Sequence, residues 1–169
     1  VPEDYGGAGL GALDGCLLAE ELGAACAGVA ASLGGNILGL TPLLIAGSPQ
    51  LKEEILTQHT SGPNLAAFCL TEADAGSDVA SMRSIARREG DEYVINGTKR
   101  FITNGGVASL YSVFAKEDPQ AGHRGISAFV VPADTPGVTL GKKENKMGQR
   151  STDTREVIFD QVCIPARYR

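Results

Sequence analysis

The stretch Phe68-Cys69-Leu70-Thr71-Glu72-Ala73-Asp74-Ala75-Gly76-Ser77-Asp78 runs an apolar segment straight into a loop of hydroxyls, small residues and three acids. Gly76 permits a close approach of backbone to a ligand. Backbone N–H groups and the Ser77 hydroxyl could then hold a phosphate or the edge of a flavin ring. The plainer reading is a strand end with an Asp-rich turn, in which Thr71 and Ser77 bond to nearby backbone. Composition alone favours that plainer reading. Lys99-Arg100-Phe101-Ile102-Thr103-Asn104-Gly105 also reads two ways. Asn-Gly after a strand signals a hairpin. Phe101 and Thr103, two apart on a strand, share a face and could stack beside a planar ring and bond its edge. A third cluster, Lys146 to Arg155, is polar and reads alone as a solvated turn between strands.

One glycine pattern misleads. Gly7-Ala8-Gly9-Leu10-Gly11-Ala12 fits the loose dinucleotide pattern GxGxxA. That pattern works only after a strand, into a helix, with an acid about 20 residues on. Pro2 and Tyr5 precede it here, and residues 29–33 hold no acid. A glycine turn into a helix is the better account, and a flavin bound by this chain would not sit in a Rossmann fold.

The elements that must position these groups change character near residue 62. From Leu13, the apolar positions Leu17, Leu22, Cys26, Val29 and Leu33 keep a near-helical spacing, with Glu20 and Glu21 opposite. Residues 37–46 are apolar nearly all round, predicting a helix buried on most sides. Ser48-Pro49 reads as an N-cap and first-turn proline, opening a third helix with Leu51, Ile55 and Leu56 on one face. Beyond Ser61-Gly62-Pro63, residues 65–70, 93–96, 99–103, 110–115, 126–131 and 157–159 read as strands between turn clusters. The expected fold class is α+β, a helical segment (residues 1–62) followed by a small antiparallel β-barrel or sandwich (residues 63–169).

Composition narrows the function. Net charge is −5, with 15 basic and 20 acidic residues, which argues against a phosphate-backbone partner. Four cysteines without CxxC spacing and only two histidines supply no zinc cluster. The cysteines lie in apolar stretches and are expected to be buried free thiols in a reducing compartment. No uninterrupted run of about 18 apolar residues is present, so no transmembrane helix is expected. The chain starts at Val1-Pro2-Glu3-Asp4, which reads as a fragment in which targeting cannot be judged.

Taken in order, these segments resemble the acyl-CoA dehydrogenase family, closest to its short- and medium-chain branches. The resemblance rests on residues 2–9, Ala19-Glu20-Glu21-Leu22-Gly23, residues 70–78, Ile95-Asn96-Gly97-Thr98-Lys99, Phe101-Ile102-Thr103-Asn104-Gly105 and residues 147–154. It implies the later helices of an N-terminal domain and a middle β-domain, with a C-terminal four-helix bundle outside the chain. It implies FAD as cofactor, with Phe68, Leu70 and Thr71 against the isoalloxazine ring. Gly76 and Ser77 would lie at the pyrophosphate, Ser77 also at the acyl-CoA, and Phe101, Ile102 and Thr103 along the other side of the ring. Many relatives carry tryptophan at the position of Phe101, and phenylalanine gives less stacking area there.

The reaction so implied is α,β-dehydrogenation of acyl-CoA thioesters in fatty acid β-oxidation, with electrons passed to electron-transfer flavoprotein. The base would be a glutamate of the C-terminal domain, so no catalytic residue is assigned and the fragment alone is expected to be inactive. Relatives imply a homo-oligomeric parent, dimer or tetramer, in the bacterial cytoplasm or mitochondrial matrix. Alternatives are an acyl-CoA oxidase or flavin monooxygenase on the same scaffold, or a non-enzymatic module binding CoA or flavin.

Overall fold

The computed structural model describes residues 1–169. Helix α1 spans Ala12–Ala46, with the Asp14 carboxylate accepting from the Gly11 N–H at 2.9 Å at its start. It breaks at Cys26, whose backbone is extended (φ −161°, ψ 106°), and stays helical through Gly34 and Gly35. A Cβ at Gly39 would fall 2.8 Å from the Ala67 nitrogen, so only hydrogen fits between α1 and the first strand. Helix α2, Pro49–Thr60, begins as the sequence predicts, with Ser48 Oγ accepting from the Leu51 N–H at 3.2 Å.

Residues 37–46 are less buried than their composition suggests. Leu40 and Leu43 enter the core, but Ile37 is 63% and Ile45 78% exposed. The sheet covers one side of the helix only, and Leu13, Leu17, Leu18, Val29 and Leu33 also stand outside. By length and composition α1 could cross a membrane, although no unbroken apolar run announces it.

The sheet is mixed and curled, so the expected all-antiparallel pairing gives way. Strand β1 (Ala66–Cys69) pairs in parallel with β4 (Leu110–Lys116). Strand β2 (Ile85–Glu89) meets the far end of the same β4 edge, Ile85 opposite Lys116, also in parallel. Strand β3 (Glu92–Thr103) is antiparallel to β2 and to β7 (Thr154–Pro165). Strand β5 (Ile126–Pro132) closes the other edge of β4, and β6 (Val138–Leu140) adds to β7. Two runs expected as separate strands, 93–96 and 99–103, are therefore one bulged strand. Because β3 pairs with β2 and β7 and never with β4, Asn104-Gly105 is not a hairpin turn. The longest buried network joins Ile95, Ile102, Tyr111, Val113, Phe129 and Val157 inside the sheet. A second one, with Leu40, Leu43, Leu51, Leu56, Ala66 and Leu110, glues both helices to β1 and β4. Each of its leucines contributes about 1.5–3 kcal/mol of burial.

Candidate functional site

Beyond the end of β1, the carbonyls of residues 70 and 71 are held by β3. The Arg100 N–H donates to the Thr71 carbonyl at 2.8 Å, and Lys99 Nζ donates to the Leu70 carbonyl at 3.2 Å. Lys99 is fully buried and donates also to Glu72 Oε1 at 2.6 Å. Glu72 in turn accepts from the Arg83 N–H at 2.6 Å and the Ser84 N–H at 3.1 Å, so one carboxylate closes the loop between residues 72 and 84. Its backbone bridges to Ala75 within that loop. Burial pushes the Glu72 carboxyl up, but the hydrogen bonds from Lys99, Ser84 and Arg83 outweigh it and hold it below the ordinary range. Burial pushes the Lys99 ammonium down while Glu72 opposes it. The pair is ionised at neutral pH, because three donors converge on the carboxylate.

Donors are left over at this strand end. The backbone N–H groups of Thr71, Gly76 and Ser77 donate to no acceptor within the chain. Gly76 and Ser77 are exposed on the loop, and a Cβ at Gly76 would meet nothing within 4 Å. Leu70 and Thr71 are half-buried, and Phe68 packs on Phe114 with ring centres 4.9 Å apart. Exposed amides on an open loop beside an apolar strand suit an anion or the polar edge of a planar ring.

Across from Thr71, β3 carries a bulge. Lys99 faces Val157 and Ile102 faces Arg155, so Arg100 and Phe101 together oppose Glu156. Phe101 takes φ 57°, a left-handed conformation costly for a bulky residue, and the residue is 57% exposed. Backbone strain of this kind clusters at functional sites. The Arg100 guanidinium lies 5.0 Å from the Phe101 ring centre. Arg100 Nε is 3.6 Å from Glu156 Oε1, an ion-pair separation too long for a hydrogen bond. The Ile102 side chain belongs to the core, whereas Thr103 is half-buried against α1, where a Cβ at Gly35 would lie 2.9 Å from Thr103 Cγ2. The structure thus sets Leu70 and Thr71 beside Arg100 and Phe101. No hydrogen bond joins Gly76 or Ser77 to residues 101–103.

Sequence reasoning missed Asn104 and Asp153 as supports. Asn104 is fully buried, and its Nδ2 donates to the Ser32 carbonyl of α1 (2.8 Å) and the Ala66 carbonyl of β1 (3.3 Å). The Asp153 carbonyl accepts from the Asn104 N–H at 2.7 Å, and its carboxylate takes the Gly106 N–H at 2.5 Å and Arg155 Nε at 2.9 Å. The 146–155 segment is a solvated turn only over residues 147–151, which are exposed: Thr152, Asp153 and Thr154 are buried, and Lys146 Nζ donates to the Thr152 carbonyl at 3.0 Å and Thr154 Oγ1 at 2.8 Å. Ser151 Oγ reaches the α1 break, 3.8 Å from Cys26 Sγ. All four cysteines are free, but Cys16, Cys26 and Cys163 are exposed, contrary to the burial their apolar neighbours suggest. Only Cys69 is buried, and burial pushes its thiol up. A cavity of about 330 Å³ between α2 and the ends of β4 and β5, lined by His59, Asn64 and Asp134, lies away from this site.

Known proteins match the whole arrangement. The profile of the acyl-CoA dehydrogenase N-terminal domain matches residues 1–63, and that of the acyl-CoA dehydrogenase middle domain matches residues 67–162. Cyclohex-1-ene-1-carbonyl-CoA dehydrogenase of Geobacter metallireducens is 45% identical over 98% of this chain and 44% of its own length. The mitochondrial short-chain specific acyl-CoA dehydrogenase of Mus musculus is 46% identical over 98% of this chain and 40% of its own length. Among solved structures, butyryl-CoA dehydrogenase of Megasphaera elsdenii superposes with TM-score 0.92 at 42% identity, over 98% of this chain and 45% of that one. An acyl-CoA dehydrogenase of Bacillus anthracis, solved with FAD, gives 0.90 at 35% identity, over 99% of this chain and 28% of that one. The chain spans less than half the length of these relatives.

Proposed function

Because the chain belongs to the acyl-CoA dehydrogenase family, we propose that the protein carrying it binds FAD and removes two hydrogens from the Cα–Cβ bond of acyl-CoA thioesters. The observation that carries this reading is the set of unpaired N–H groups at half-buried Thr71 and at exposed Gly76 and Ser77. We place the division between helical and flavin-binding parts at residues 62 and 63. Thr71 holds the pyrimidine edge of the ring through its N–H and hydroxyl, with Phe68 and Leu70 beside it. Gly76 and Ser77 take the pyrophosphate, and Ser77 also meets the acyl-CoA. Phe101 and Thr103 line the ring's other side, where Ile102 contributes backbone because its side chain is in the core.

Bound FAD supplies the acceptor for the hydride that leaves the substrate β-carbon. The chain's own residues bind and orient, and none of them takes the α-proton. Glu72 is committed to Lys99, Arg83 and Ser84, while Glu20 and Glu21 are exposed on α1. We assign no catalytic base among the 169 residues. Reduced flavin would pass electrons to electron-transfer flavoprotein, in a homo-oligomer of the bacterial cytoplasm or mitochondrial matrix. We read α1 as a packed helix and not a membrane span, since Gly39, Leu40 and Leu43 commit one face to the sheet.

The test is anaerobic titration of the full-length protein with short, medium and branched acyl-CoAs. Bleaching of the yellow flavin band is the expected result. A yellow protein that no acyl-CoA bleaches refutes dehydrogenation. Rapid reoxidation by oxygen after bleaching would make it an oxidase.

A further inference from the structure

We infer that Lys99 is a positioning residue for the flavin, acting through the peptide of Thr71. The inference rests on the FAD reading above and deepens it. Residues 70, 71 and 72 are each gripped by one of two successive residues of β3. Lys99 Nζ takes the Leu70 carbonyl at 3.2 Å and the Glu72 carboxylate at 2.6 Å, and the Arg100 N–H takes the Thr71 carbonyl at 2.8 Å. With those acceptors fixed, the peptide between Leu70 and Thr71 has one orientation, and its N–H is the group left without a partner. Glu72 carries the same constraint onward to Arg83 and Ser84, at the exit of the loop bearing Gly76 and Ser77. A single buried ammonium thereby aims the strand end and anchors the loop.

Stability alone does not require a charge here. An ion pair taken out of water gains little over an apolar pair of equal volume, whereas directed hydrogen bonds fix a geometry that methylenes cannot. Lys99 has no exposed surface and lies inside the sheet beside buried Cys69, so it touches neither solvent nor ligand. Its effect must pass through Leu70 and Thr71.

The experiment separates aim from stability. Lys99→Met removes the clamp and leaves Glu72 charged and buried, so it loses both folding stability and flavin. The decisive variant is Lys99→Met with Glu72→Gln in the full-length protein. There the glutamine oxygen still accepts one of the two loop-exit N–H groups, the other loses its acceptor, and no charge is stranded. Thermal unfolding, FAD dissociation constant and visible circular dichroism of the bound flavin are measured on the double variant and on wild type. We expect the double variant to melt well above Lys99→Met, yet to bind FAD at least tenfold more weakly than wild type with an altered dichroic band. Recovery of wild-type affinity and spectrum along with stability would overturn the inference and leave FAD binding intact. Failure of wild type itself to bind FAD would sink the FAD reading instead.

Discussion

Two loops flank the end of β3, and each is clamped by a lysine, but they are built to opposite ends. Around residues 70–84 the lysine is fully buried and opposed by a carboxylate, and the clamp consumes carbonyls and side chains while sparing the N–H groups of Thr71, Gly76 and Ser77. Around residues 146–155 the lysine is only partly buried, takes hydroxyls and a carbonyl of Thr152 and Thr154, and the loop turns its polar groups inward onto residues 104–106. The second loop braces the chain, because Asp153 takes the Gly106 N–H and Thr152, Asp153 and Thr154 are buried. Backbone N–H groups lack acceptors in both loops, at residues 71, 76 and 77 in one and at 147–151 in the other, so what sets the first apart is its buried ion pair. The difference lies in which atoms the clamp uses, and both loops look equally polar in sequence.

The largest break of this comparison is Lys99→Met. Stranding Glu72 in the core is expected to cost about 3–5 kcal/mol, read as a shifted midpoint in denaturant. Next is Asn104→Ala, which frees the carbonyls of Ser32 and Ala66 and puts alanine at φ 64°. About 1–3 kcal/mol should be lost by the same measurement. Acid sharpens the contrast. Glu72 is held below its ordinary value of 4.5 by its donors, so its contribution is present above that value and lost as pH falls from there through the lower folded-state pKa. Denaturation midpoints measured from pH 7 downwards should fall steeply there in wild type and less in Glu72→Gln. Phe101→Trp enlarges the exposed aromatic face and should tighten FAD by about 0.5–1.5 kcal/mol, seen in equilibrium binding. Smallest is Lys146→Met, expected to cost about 1 kcal/mol of stability and nothing in FAD affinity.

Much of this was legible in the residues, for reasons that also explain the errors. The Ser48-Pro49 cap and the runs that became β1, β4 and β5 are local signals, and they held. Lys99 was hidden by phase: counting back in twos from buried Ile102 puts it outside, but the extra residue at Arg100 and Phe101 flips it inward. Asn104-Gly105 suggested a hairpin because turn chemistry is local, whereas the choice of β7 and β2 as partners for β3 is tertiary. The break in α1 fell at Cys26, where Ser151 arrives from far along the chain, and no local spacing encodes that contact. Strands β2 and β6 went unread because Ile85–Glu89 is mostly charged and Val138–Leu140 is only three residues long.

Amide hydrogen exchange of the full-length protein, with and without FAD, tests the distinction most directly. The account predicts that FAD protects the amides of residues 71, 76 and 77 and leaves those of residues 150–154 unchanged. Protection confined to 150–154, with 71, 76 and 77 exchanging as before, would contradict it.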